Sequence, residues 1–92
     1  MQQSVYSFLL DFFPLTDDVA EQNRVLGDAL QRAGLELLNV ASVGFPIMGK
    51  LEQVRILLQL SADLGYVDEA VLRYLENALR RAAENCHSGT DD

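Results

Sequence analysis

The chain has 92 residues, 49% apolar and 23% charged, with 14 acidic against 7 basic side chains and a net charge of −7. That is the length of one small domain, too apolar for a disordered chain. The charge is also of the wrong sign for a nucleic-acid surface, which needs a local Lys/Arg cluster. Here the bases are scattered, with only Arg80 and Arg81 adjacent, and acids exceed bases in both halves.

Helical periodicity runs from end to end, and no alternating strand pattern occurs. The first segment, at 4–13, reads SVYSFLLDFF and is apolar on most sides, so it must be buried on most sides. Pro14 is expected to end it, because the residue before a proline avoids the α region. The second segment is expected to start at Thr16, Asp17 or Asp18, all good N-caps, with Glu21 completing a capping box from Asp18. Its apolar stripe is Val19, Leu26, Ala29, Leu30, Ala33, Leu37 and Val40. Gly27 and Gly34 interrupt that stripe. Each costs about 1 kcal/mol against Ala in a helix, so they read either as points of close helix approach or as tolerated weakness.

The run SVGFPIMG at 42–49 is the main break, punctuated by Gly44, Pro46 and Gly49. The third segment, at 50–64, carries Leu51, Val54, Ile56, Leu57, Leu58, Leu60 and Leu64. These cover more than one face, so it is expected to be the central, most buried helix. Gly65 stands at its C-cap. The fourth segment opens at Asp68 and Glu69 and presents Val71, Leu72, Leu75, Ala78, Leu79 and Ala82 on one side. The expected result is an all-α fold, a small bundle of three to four helices that pairs as a homodimer. Its single domain, 1–92, comprises an apolar N-terminal helix at 1–15, a helical core at 16–84 and a flexible acidic tail at 85–92.

Groups that do chemistry are sparse. The only Cys, Cys86, and the only His, His87, are adjacent in the expected tail. A nucleophile and its base need a scaffold and a third orienting group. A structural zinc site needs about four ligands. GFPIMGK at 44–50 ends in Gly-Lys but has Leu51 where a phosphate-binding loop needs a hydroxyl. Neither catalysis, a metal nor a cofactor is expected. The lone Cys is typical of a reducing compartment. With no secretory signal at the N-terminus and no run of about 20 apolar residues, a cytoplasmic protein is expected. What remains is surplus apolar and aromatic surface, the usual material of protein interfaces. Phe8, Phe12, Phe13, Leu15, Phe45, Ile47 and Met48 are the candidate interface residues, for a second copy or a protein partner.

Two resemblances add expectations. VLGDAL at 25–30, the spaced pair Asp63 and Asp68, Arg73, Leu75–Glu76, Leu79–Arg80 and the Asp91–Asp92 ending resemble, in that order, the YmgB/AriR family of small bacterial regulators. That resemblance implies a helical dimer acting without catalysis in biofilm development, acid resistance and two-component signalling. Residues 65–79, GYVDEAVLRYLENAL, resemble the second helix of a tetratricopeptide repeat through Gly65, Asp68, Glu69, Ala70, Tyr74, Ala78 and Leu79. This second likeness implies a repeat-like helical hairpin, as in a co-chaperone or adaptor of a bacterial secretion system.

Overall fold

Four α-helices follow one another in the computed structural model, which describes residues 3–87: α1 Gln3–Gln22, α2 Arg24–Ser42, α3 Met48–Asp63 and α4 Glu69–His87. No strand occurs among the described residues. Each helix packs on the next, and α1 packs on α4 to close the ring. Cross-helix contacts fix an antiparallel register for α1 and α2, with Asp17 bonded to Gln31 and Phe12 lying beside Gly34. The all-α reading therefore holds, in an up-and-down bundle measuring 38 × 23 × 19 Å.

Pro14 does not end the first helix; it sits inside α1, which runs eight residues further to Gln22. A proline in a helix interior leaves the carbonyl four residues back without its N–H partner. Here that carbonyl belongs to Leu10, an exposed residue. Burial keeps the chain helical on both sides: Phe12 precedes the proline, Thr16 and Val19 follow it, and all three are fully buried on one stripe. The Thr16 hydroxyl donates to the Phe13 carbonyl at 2.7 Å, so its burial leaves no polar atom unpaired.

The expected caps at Thr16, Asp17 and Asp18 consequently lie within α1. The helix boundary is Asn23, a single extended residue at φ −149° and ψ 99°. Its side-chain oxygen accepts the Leu26 N–H at 3.1 Å, the ordinary work of an N-cap asparagine. Asp17 serves across the hairpin instead, accepting from the Gln31 amide at 2.8 Å.

Both glycines of α2 prove to be points of close approach. A Cβ on Gly27 would stand 2.4 Å from the Ala20 Cα, and one on Gly34 would stand 2.8 Å from the Phe12 ring. With no side chain at Gly34, the Phe12 ring packs close against α2. Its ring stacks on Phe8 at 5.2 Å and meets Phe13 edge-on at 5.8 Å.

Two glycines in left-handed conformation end the next helices. Gly44 at φ +80° donates to the Ala41 carbonyl while Phe45 donates to Val40. Gly65 at φ +89° donates to Ala62 while Tyr66 donates to Ser61. Each pair of bonds is a Schellman closure, which satisfies carbonyls that the helix end leaves free.

Phe8, Phe12, Val54, Leu58, Leu30, Leu37 and Leu75 form the fully buried centre. Ile47 and Val67, from the two longer connections, close the ends of the core. Helix α3 is not the central helix. Like every other helix in the ring it packs on two neighbours, and it leaves Ile56, Leu60 and Leu64 substantially exposed. Helix α4 continues to His87, so residues 85–87 of the expected tail are helical; residues 88–92 lie outside the described residues.

Candidate interaction surface

The residues expected at an interface divide sharply. Phe8 and Phe12 are 0% exposed and Ile47 is 4% exposed, so all three belong to this chain's own core. Of the aromatic residues, Phe12 and Phe13 pack where Gly34 leaves room on α2, and Phe8 stacks on Phe12. Phe13 and Leu15 are half-buried and pack on the core edge. Phe45 and Met48 do face solvent, at 67% and 47% exposure, at the α2–α3 end of the bundle.

The larger apolar surface lies on α3, the helix that the sequence predicts to be the most buried. Ile56 and Leu60 of α3 and its C-cap residue Leu64 are spaced four residues apart and are exposed, whereas Leu51, Val54, Leu58 and Ser61 form the buried stripe. The exposures of Ile56, Leu60 and Leu64 are 53%, 44% and 56%. Lys50 of α3 bonds Glu36 of α2 at 3.1 Å, which marks the α2 side of α3. By helical angle Leu57, Leu60 and Leu64 are turned toward that side. Val25 of α2 and the pair Tyr6 and Leu10 of α1 are further exposed apolar residues. The sequence did carry a signal for the α3 stripe: two apolar faces on one helix. Which face turned inward was not written there.

The α3–α4 face is built differently. An open groove of about 360 Å³ is lined by the apolar Met48, Leu51, Leu79 and Ala83 and the charged Glu52, Arg55, Glu76 and Arg80. Arg55 donates to Glu52 on its own helix, with Nε 3.1 Å from both carboxylate oxygens. That hydrogen bond holds the Glu52 carboxyl below the usual carboxylate range and holds the Arg55 guanidinium still more firmly protonated. Glu76 adds attraction to Arg55 from α4. The charged lining is thus balanced, two acids against two bases. Further along, Glu69 and Arg73 form an ion pair one turn apart on α4.

Helices α1 and α4 are joined by a hydrogen bond from the Tyr74 hydroxyl to Asp11 Oδ2 at 2.9 Å. Donating to a carboxylate keeps the phenol protonated, and Tyr74 is pushed above its usual value by that bond first and by the Asp11 charge second. The folded pKa is raised, so the contribution to stability is complete below the unfolded value near 10. It is lost as pH rises through the folded value. Subtracting the tyrosinate absorbance titration of Tyr74→Phe from that of the parent chain should give a midpoint above 10, and Asp11→Asn should lower it. An unchanged midpoint in Asp11→Asn would show that the bond does not persist in solution.

Among the described residues no three His, Cys, Asp or Glu side chains converge where a metal could bind. No helix among them is long and apolar enough to cross a membrane. The chain matches no known family, no curated protein and no solved structure. The arrangement of side chains therefore supplies the functional argument. It offers apolar surface on one side of the ring and a charge-balanced groove on another.

Proposed function

We propose that this chain is a small acidic adaptor that acts without catalysis, through protein–protein contacts, as a cytoplasmic connector in bacterial signalling of the biofilm and acid-stress type, and that it works as a homodimer. The observation that supports this reading is the exposed stripe of Ile56, Leu60 and Leu64 on a chain whose core is complete without it. Contiguous apolar surface on a small soluble domain marks interaction sites. The order of short motifs from Val25 to Arg80 supports the regulatory class, and the net charge of −7 favours basic partners and keeps the unbound chain in solution.

Affinity capture from the bacterial host, followed by mass spectrometry, tests the reading. Leu60→Asp and Phe45→Asp serve as control baits. Both side chains are well exposed, so each change should alter folding stability by only about 0.5 kcal/mol. Chemical denaturation checks this. Recovery of a sensor kinase, response regulator or transcription regulator by the parent chain, and not by Leu60→Asp, is the expected result. Recovery of secretion components would instead favour the co-chaperone alternative. Equal recovery by all baits would remove the exposed stripe from the interface.

A further inference from the structure

We propose that Asn23 is a hinge through which α1 is exchanged between two copies of the chain, so that α1 and α2 join into one helix in a swapped dimer. This concerns how two copies meet, and it stands whether or not the chain is a signalling adaptor.

The connection between α1 and α2 is one residue long. Its backbone is already bonded as in a continuous helix: Asn23 N–H donates to the Val19 carbonyl at 2.7 Å, and the Asn23 carbonyl accepts from Gly27 N–H at 2.9 Å. Both bonds span four residues, the α-helical spacing. What breaks the helix is the extended conformation of Asn23 itself, at φ −149° and ψ 99°. Rotation of that one residue into the α region would fuse Gln3 to Ser42 into a single helix of about 60 Å. The amides of Arg24, Val25 and Leu26 would then reach the carbonyls of Ala20, Glu21 and Gln22. A helix start otherwise leaves such amides without intrahelical partners.

Opening a lone chain would strip Phe8, Phe12 and Val19 of cover, so the open form needs another copy. The register supplies the fit. Phe12 meets Gly34, Asp17 meets Gln31 and Ala20 meets Gly27, so the pairs converge on Asn23. Two fused helices crossing antiparallel at their Asn23 residues reproduce those pairs between copies. The α1 packing on α4, including Tyr74 with Asp11, is likewise remade with the partner. Exchange of an identical element through a short hinge is a low-cost route to a dimer. The Asn23 side chain opposes it, because its bond to Leu26 N–H exists only in the closed form.

The test measures assembly and intrachain distance together. Light scattering follows the parent chain, Asn23→Ala and Asn23→Asp over a wide concentration range. Losing the cap should favour opening about fivefold per hinge, hence about 25-fold for a dimer that opens two. Asn23→Asp keeps a capping carboxylate and should behave like the parent. Spin labels at Ser7→Cys and Asn39→Cys, in a Cys86→Ser background, report the hinge by pulsed electron resonance, with labelled chains diluted in unlabelled ones. In the closed hairpin these positions lie side by side, about 10 Å between helix axes. In the fused helix they are about 48 Å apart. The expected result is a dimer fraction showing the long distance, larger in Asn23→Ala. A dimer that shows only the short distance would overturn the exchange, as would chains that stay monomeric at millimolar concentration. If Asn23→Ala fails to fold, the parent chain refolded at millimolar concentration gives the same readout.

Discussion

Phe12→Ala is expected to destabilise the bundle by about 3–5 kcal/mol, the usual cost of truncating a buried aromatic. Phe12 is 0% exposed, stacks on Phe8 and meets Phe13 edge-on. It also lies against Gly34, where α2 presents no side chain, so the cavity would open between two helices whose backbones cannot easily close it. Domains are stable by about 5–15 kcal/mol in all, so this one change would consume a large share and leave part of the population unfolded at room temperature. Urea denaturation followed by circular dichroism measures it. A loss below about 1 kcal/mol would mean that Phe12 is not held in the core. Phe12→Asp should unfold the chain outright, since it would place a carboxylate among apolar rings without a partner. An aromatic residue serving an interface would show neither effect.

Gly27→Ala is expected to cost about 1–3 kcal/mol, the range for overpacking a tight site. The sign is the informative part. Alanine gains about 1 kcal/mol over glycine in an exposed helix interior, so helix propensity alone predicts stabilisation. Here the added Cβ would stand 2.4 Å from both Cα and Cβ of Ala20 and 2.6 Å from its backbone nitrogen. Backbone cannot rotate aside as a long side chain can, so α1 and α2 must move apart near Asn23. Gly34→Ala meets the rings of Phe12 and Phe13 at 2.8 and 3.0 Å and should also destabilise. Gly49→Ala, on α3 with open space around it, is the matched control and should be neutral or mildly stabilising. Thermal unfolding of the three variants side by side distinguishes packing from propensity.

Much of the candidate surface was illegible in the sequence for a definite reason. Helical spacing says which residues share a face, and does not say which face meets a neighbour. Helix α3 carries apolar residues on two faces, and either could have been the inner one. The choice is made by α2 and α4, which cover Leu51, Val54 and Leu58 and leave Ile56, Leu60 and Leu64 outside. The same ambiguity holds for the aromatic residues of the first helix. Phe12 goes inside where α2 has Gly34 opposite it, a complementarity between residues 22 positions apart, and Phe8 stacks on Phe12. In the α2–α3 connection the sequence does not distinguish Ile47, which turns into the core, from its neighbours Phe45 and Met48, which stay exposed.

Sequence by itself determined the all-α class, the amphipathic stripe of α2 from Leu26 to Val40, a break within 42–49 and the stop at Gly65, because each rests on interactions within a few residues: periodicity, turn chemistry and a left-handed glycine closure. Only the tertiary structure decided that the first helix continues through Pro14 and turns at Asn23. A proline in a helix interior costs about 3 kcal/mol locally. Burial of Phe12, Thr16 and Val19 on one continuous stripe offsets that cost with contacts to other helices, which no local rule counts.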